Sequence, residues 1–166
     1  HPARQLAPFP SPENLSLAAS GNAADIAVAA DDGPVSVDNP TFKAFLTRRQ
    51  TIAGMNYFDE RFGEYWSDTD LCFKLRKAGK KLVVDCRIRA TEVADGVWRP
   101  GSGVAAAFAT DRAVGASRFA GKHFGGIMGA TMRAGTLFKA LGSLQLSAFS
   151  RIVSGQKIDG SEVIKP

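Results

Sequence analysis

The residues best suited to chemistry are two acids in the order Asp68-Thr69-Asp70, near the middle of the chain. Asp68 is the first candidate for chemistry, because a carboxylate that is desolvated in a closed cleft can serve as a general base. A second interpretation needs no chemistry, because an acid in the first turn of a helix stabilises that helix by about 0.3–1 kcal/mol. Both interpretations require a helix that begins just before Asp68.

The residues around these acids predict such a helix over 68–78. Ser67 is a favourable N-cap residue, basic residues occupy the last turn, and Gly79 is a typical helix stop. Helical spacing places four residues on the face expected to be buried: Asp68, Leu71, Cys72 and Leu75. Asp70 falls on another face with Lys74 and Lys77, so we expect Asp70 to point toward solvent and to pair with Lys74.

The wider segment matches a known pattern. F-D-E-R-F at 58–62 is followed, after five residues, by D-T-D-L-C-F-K-L-R at 68–76 and then by Gly79. This order and spacing resemble the second half of the family-2 glycosyltransferases, which include bacterial rhamnosyltransferases, use nucleotide sugars and have the GT-A fold. The resemblance implies an α/β protein, here a partial GT-A-like mixed sheet with a motif helix and two C-terminal helices. It also implies that Asp68 is the base for inverting transfer, with Asp70 and Arg76 supporting the motif.

Several positions depart from the family pattern. Ser67 stands where the family usually has Glu, and Asn56-Tyr57 stands where it usually has Gly-Gly before F-D-E. The family often has a His after the next strand that assists the metal and the diphosphate, whereas residues 90–95 contain none. Glu92 and Asp95 are the residues of that segment that can bind a metal. The resemblance implies a divalent cation, Mg²⁺ or Mn²⁺, in the complete enzyme and none for this chain alone.

Four further residues are candidates for binding the donor or the acceptor. By the resemblance, Arg48 ends a strand that lines the cleft, and the alternative is a solvated strand end. Tyr65 and Trp66 precede Asp68 and can stack on a sugar ring or contact a lipid acceptor, although most such aromatic residues belong to cores. His123 lies in R-F-A-G-K-H-F-G at 118–125, which resembles a segment after the catalytic core of some bacterial family members. We expect His123 either to contact the diphosphate or to be a surface or capping residue.

The rest of the pattern predicts a small sheet followed by helices. Residues 1–23 are rich in Pro, Ala, Ser and Asn, which predicts an irregular arm. Short apolar runs predict strands at 25–30, 35–37, 42–48, 81–84 and 87–93. Helical patterns cover 105–119 and 127–153, the second of which is both basic and apolar on one broad face. We therefore divide the chain into an arm (1–23), the acceptor-side half of a GT-A domain (24–125) and a C-terminal amphipathic helix with a tail (126–166).

The net charge of +5 is concentrated toward the C-terminus. Residues 111–166 hold eight Lys or Arg and three Asp or Glu, whereas residues 1–110 hold thirteen of each kind. This mild charge fits anionic lipid, lipid-linked phosphate or nucleotide phosphates, and it is too dilute to indicate nucleic-acid binding. The sequence has neither a signal-peptide pattern nor an apolar run long enough to span a bilayer. We expect a cytoplasmic protein. Its basic C-terminal helix either docks at the inner face of the membrane or on a partner helix, or packs on its own sheet or in a dimer.

The sequence contains two cysteines, and it matches only the second half of the family pattern. Cys72 and Cys86 have no metal-site spacing and predict free thiols, with a disulfide as the alternative. The nucleotide-binding first half of a GT-A enzyme has no counterpart here. We therefore expect a fragment of an inverting glycosyltransferase of polysaccharide biosynthesis, which transfers a sugar from a nucleoside-diphosphate sugar to a glycan or lipid-linked acceptor. The isolated chain is expected to be inactive.

The alternative function is a non-catalytic interaction or oligomerisation module derived from a glycosyltransferase. In both cases the missing half would leave an open sheet edge, and an open edge favours a homodimer.

Overall fold

The computed structural model describes residues 9–20, 33–40, 45–63, 65–85, 87–88, 102–142 and 146–155. Its elements are, in chain order, α1 (Leu15–Ser20), β1 (Pro34–Val37), α2 (Arg49–Gly54), α3 (Ser67–Lys77), β2 (Leu82–Asp85), α4 (Ser102–His123), α5 (Gly126–Gly142) and α6 (Leu146–Ser154). This combination of helices and a small sheet agrees with the general α/β class.

The chain divides by contact into two compact units. One contains β1, α2, α3 and β2, and the other contains α1, residues 60–66 and the three helices α4, α5 and α6. This grouping is a different division from the sequence-based ranges 1–23, 24–125 and 126–166, which stay predictions.

The sheet of the first unit consists, within the described residues, of β1 and β2. The two strands are antiparallel, with Pro34 opposite Asp85 and Val37 opposite Leu82. The strands predicted at 35–37 and 81–84 are therefore confirmed to within the usual uncertainty of element ends. The pair is antiparallel, so the described part of the sheet does not include the parallel pairing of a mixed sheet.

Two predicted strands are wrong where the structure describes them. Residues 45–48 of the predicted strand 42–48 are irregular and exposed, and the side chain of Leu46 is 99% exposed, so no neighbouring strand covers this segment. β2 ends at Asp85 because the Asp85 carboxylate accepts hydrogen bonds from the backbone N–H and the guanidinium of Arg87. This turn excludes residues 87 and 88 from the predicted strand 87–93. The predicted strand at 25–30 lies outside the described residues.

The motif helix α3 runs from Ser67 to Lys77, close to the prediction. Leu71, Cys72 and Leu75 are buried, as their spacing indicates. Gly79 has a φ of 70°, which is the left-handed conformation that favours glycine. The N–H groups of Gly79 and Lys80 donate to the carbonyls of Arg76 and Leu75, which is the Schellman pattern of helix termination.

The second unit is built from helices. α4 and α5 approach closely where Gly121 faces Gly129, because neither residue has a side chain to hold the backbones apart. A core cluster of Val114, Ala140 and Ile152 joins α4, α5 and α6. The helix predicted at 105–119 is present within α4. The single helical segment predicted at 127–153 is instead two helices, since α5 ends at Gly142 and α6 begins at Leu146.

The predicted irregular arm is wrong at 15–20, where α1 forms. Leu15 is 1% exposed, and α1 packs on α4. A helix of six residues gains too little from its own hydrogen bonds to be stable alone, so this burial explains why the segment is helical. None of the helices in the described part of the chain has both the length and the apolar character needed to cross a bilayer.

Candidate functional site

The candidate site starts with Asp68 in the first turn of α3. Its Oδ1 atom accepts a hydrogen bond of 2.7 Å from the backbone N–H of Thr69, and the Thr69 hydroxyl lies 3.4 Å from the same oxygen. Its Oδ2 atom accepts no hydrogen bond from any residue in the described part of the chain. The Asp68 side chain is partly exposed. One carboxylate oxygen is therefore held by the helix start and the other remains available to a ligand.

Asp70 has the opposite environment. Its side chain is completely buried, and its Oδ2 atom lies 3.3 Å from Nζ of Lys74. The predicted pairing with Lys74 is confirmed, whereas the prediction that Asp70 points toward solvent is wrong. Lys74 also donates a hydrogen bond of 3.0 Å to the backbone carbonyl of Tyr57, so the segment before F-D-E is tied to α3. The burial of Asp70 is a tertiary effect that helical spacing alone did not predict.

The Asn56-Tyr57 segment has an unusual backbone. Asn56 and Tyr57 have φ values of 56° and 54°, in the left-handed region that most residues with side chains avoid. Asn tolerates this region better than most residues, but Tyr gains nothing from it. The Lys74 ammonium, bound to both the Tyr57 carbonyl and Asp70, joins this strained turn to the motif helix.

Arg76 is engaged in contacts within its own unit. One guanidinium nitrogen lies 2.9 Å from Oδ1 of Asp38, just after β1. The guanidinium also lies 4.4 Å from the centre of the Phe9 ring, which stacks on Phe73 at 5.2 Å. An exposed ion pair of this kind contributes about 0–1 kcal/mol. The geometry fits a residue that supports α3 rather than one that projects toward a substrate.

Tyr65 and Trp66 lie in the helical unit and have different accessibility. Trp66 is 6% exposed, its indole N–H donates to the backbone carbonyl of Arg112 at 2.9 Å, and its ring centre lies 5.2 Å from that of Phe119. It is a core residue, which is the alternative that the sequence left open for the aromatic residues of this segment. Tyr65 is half-buried, with the Arg112 guanidinium 4.3 Å from its ring centre and the Phe108 ring edge-on at 6.2 Å.

The remaining predicted site residues are dispersed. His123 ends α4 and its ring centre lies 4.6 Å from that of Phe119. Arg48 is exposed and immediately precedes α2 in irregular structure, so it does not end a strand. Glu92 and Asp95 lie outside the described residues. Among the residues that the structure describes, no group of three or more His, Cys, Asp or Glu side chains is placed to hold a metal ion.

The thiol of Cys72, in α3, has a shifted pKa. Burial first, and then the negative charge of Asp68, raises the pKa of the Cys72 thiol to about 12. The thiol is free, as predicted, and completely buried. A protonated, buried thiol is a poor nucleophile, so Cys72 is a packing residue. Cys86 lies outside the described residues.

The sequence did not predict a cavity of about 780 Å³ in the helical unit. It is lined by residues 60–62, by Arg118, Gly121 and Lys122 of α4, and by Gly155. Arg118 donates hydrogen bonds to the backbone carbonyls of Arg61 and Gly155, and the Lys122 ammonium lies 5.6 Å from the Phe62 ring centre. The i, i+4 spacing of Arg118 and Lys122 was the available signal, but the chain reversal that brings residues 60–62 to α4 was not visible in the sequence.

Comparisons of the chain with protein-family models, with curated proteins and with solved structures found no match. Function is therefore argued from the residues themselves.

Proposed function

We propose that this chain is the acceptor-side half of an inverting family-2 glycosyltransferase, in which Asp68 is the general base. The observation that carries the proposal is the backbone of Asn56 and Tyr57, with φ values of 56° and 54°. These are the two positions at which the resembling family has Gly-Gly, and glycine is the residue that adopts this conformation without strain. The local backbone therefore fits the family pattern at the one place where the residue types depart from it most.

The contacts within the motif support the same proposal. Lys74 joins the turn before F-D-E to the buried Asp70, so the two parts of the motif are in contact in the folded chain. Asp70 is completely buried and paired with Lys74, whereas Asp68 is partly exposed at the start of α3. Of these two nearby acids, Asp68 is therefore the one that remains available for proton transfer.

In the proposed reaction Asp68 takes the proton of an acceptor hydroxyl group. The deprotonated oxygen attacks the anomeric carbon of the donor from the face opposite the nucleoside diphosphate. A new glycosidic bond forms, the bond to the diphosphate breaks, and the configuration is inverted. The described residues do not provide a site for the Mg²⁺ or Mn²⁺ that the resemblance implies. The donor nucleotide and any metal would be held by the half that this chain lacks.

The first test is the mass of the native polypeptide, measured by immunoblotting with an antibody against this segment. We expect a band well above 17.6 kDa, because the nucleotide-binding half must be on the same chain. A native band at 17.6 kDa would contradict the half-enzyme proposal. So would measurable sugar transfer by the isolated 166-residue chain.

The second test compares Asp68→Asn with Asp85→Asn in the full-length protein. Loss of a general base lowers transfer by about 10²- to 10⁴-fold. The loss of unfolding free energy should not exceed about 1 kcal/mol, the value of a first-turn acid. Asp85 is a partly buried acid in β2 of the same unit, and its substitution should leave transfer unchanged. Full activity of Asp68→Asn would refute the role of Asp68.

The alternative is a non-catalytic interaction module, and specific contacts favour it. Trp66, a candidate for stacking on a sugar, is instead buried and donates a hydrogen bond to the backbone carbonyl of Arg112. Under this alternative, α3 is retained because it organises the core, and Asp68→Asn changes stability slightly and nothing else. Native mass and the Asp68→Asn result together distinguish the two functions.

A further inference from the structure

α5 presents three of its larger apolar side chains to solvent, those of Ile127, Phe138 and Leu141. Five residues lie on one side of the helix, since successive residues turn by about 100°: Ile127, Thr131, Ala134, Phe138 and Leu141. We call them the α5 outer face. Ile127 is 84%, Phe138 74% and Leu141 47% exposed. The face contains no charged residue over its whole length.

The opposite side of α5 is fixed against its neighbours. Gly129 is buried, and a Cβ atom placed there would lie 2.8 Å from the Cα of Gly121 in α4. Ala140 is also buried, in the cluster that joins α4, α5 and α6. Because this side is packed so closely, α5 cannot rotate to bury its outer face within the same helical unit. The apolar face is a stable feature of the surface of this unit.

The charge of residues 112–155, a stretch that includes all of α5, indicates what can cover that face. Residues 112–155 contain six Lys or Arg and no Asp or Glu. They are Arg112, Arg118, Lys122, Arg133, Lys139 and Arg151. A second copy of these helices would bring like charges together without a carboxylate from this stretch to neutralise them. An anionic bilayer offers both an apolar interior for the outer face and phosphate groups for the cations.

We propose that the α5 outer face docks on the surface of an anionic lipid bilayer. α5 would lie in the plane of the headgroups, with Ile127, Phe138 and Leu141 entering the boundary with the acyl chains. Lys139, which is exposed on the flank of the outer face, would lie near the lipid phosphates. This surface is independent of Asp68 and of the proposed sugar transfer, since every residue in it belongs to the helical unit.

The test is flotation of the 166-residue chain with two kinds of vesicle, phosphatidylcholine alone and phosphatidylcholine mixed two to one with phosphatidylglycerol. We expect strong binding to the anionic vesicles and weak binding to the neutral ones. Raising the salt concentration from about 0.1 M to about 1 M shortens the screening length from about 10 Å to about 3 Å and should weaken the binding. Equal binding to both vesicles, or to neither, would overturn the proposal.

Two matched variants test which residues make the contact. Phe138→Asp should lower the partition coefficient on anionic vesicles at least about tenfold. It replaces an aromatic ring that would enter the bilayer with a negative charge that the anionic headgroups repel. Leu46→Asp introduces the same charge at a side chain that is 99% exposed and lies outside α5, and it should bind as the wild type does. Lys139→Ala should lower binding about fivefold, the effect of one cation at such a surface.

The variants also exclude other occupants. Circular dichroism should show the same helix content in Phe138→Asp, since that side chain is exposed. Wild-type binding by Phe138→Asp would overturn the proposal. Analytical ultracentrifugation gives the remaining outcome: if the chain is a dimer that Phe138→Asp dissociates, the outer face binds a second copy and the membrane proposal is wrong.

Discussion

The contact between α4 and α5 can be tested by substituting alanine for Gly129. A Cβ atom at this position would lie 2.8 Å from the Cα of Gly121, 2.8 Å from the carbonyl oxygen of Ser117 and 2.9 Å from the Gly121 nitrogen. All three are backbone atoms, which cannot rotate away as a side chain does. The helices must therefore separate, and overpacking of this kind costs about 1–3 kcal/mol.

Helix propensity acts in the other direction. Replacing glycine by alanine inside a helix stabilises the folded state by about 0.8–1 kcal/mol through helix propensity alone. Because the Gly129 contacts are rigid, we expect the upper part of the overpacking range and a net loss of about 1–2 kcal/mol. Gly135 lies in the same helix with no atom within 4 Å of its Cβ position, so Gly135→Ala should gain about 0.5–1 kcal/mol. Glycine-to-alanine substitution should thus lower the free energy of unfolding at position 129 and raise it at position 135, six residues further along the same helix.

The assay is urea unfolding followed by far-ultraviolet circular dichroism, with the wild type and both variants measured together. A difference of about 2–3 kcal/mol between the variants corresponds to roughly 1 M in the unfolding midpoint for a typical urea slope. Gly121→Ala is a third variant, since its Cβ would lie at an ordinary distance of 3.8 Å from Gly129 and should be tolerated. If Gly129→Ala is as stabilising as Gly135→Ala, the close approach of the two helices does not exist.

Three further predictions concern α3 and the turns beside it. The folded state keeps the Cys72 proton to about pH 12, whereas the unfolded chain loses it above the ordinary thiol pKa of 9.0. The free energy of unfolding should therefore fall between these two pH values by up to about 1.4 kcal/mol per pH unit. Cys72→Ala should remove that contribution when urea unfolding is repeated from about pH 8 to about pH 11. Tyr57→Gly should stabilise the chain and Gly79→Ala should destabilise it, by about 1 kcal/mol each, because both positions are left-handed; the same sign for both would contradict this explanation. Lys74→Ala should cost about 3 kcal/mol or more and Asp70→Asn clearly less, since only the first leaves a buried carboxylate without its cation, and equal losses would show that the ion pair is unimportant.

The sequence predicted α3 well because its signals are local. The N-terminal Ser67, the buried stripe, the Asp70–Lys74 spacing and the terminal Gly79 all lie within one segment of the chain. Each contributes through backbone conformation or through a neighbour one helical turn away. Such signals can be seen without knowing the rest of the fold.

Errors arose where distant segments decide the environment. Asp70 is completely buried although helical spacing assigned it to solvent, and Trp66 belongs to the core because it packs on α4. Neither contact has a local signature. The exposed segment 45–48 shows the converse, since its apolar residues suggest a strand but none of the strands that the structure describes pairs with it.

The arrangement of α5 links its packing to its proposed role. Most globular helices bury their large apolar side chains and expose small or polar ones. α5 does the reverse at several positions, since it buries Gly129 and Ala140 while Ile127 and Phe138 face solvent. Burying Gly129 and Ala140 removes little apolar surface from water, so close backbone approach adds to the packing of the partly buried Leu137 in holding α5 on its neighbours. Contact with a bilayer would bury the remaining large side chains without disturbing that approach. The same glycine contact therefore predicts both a loss of stability with alanine at 129 and an exposed apolar face on the opposite side of α5.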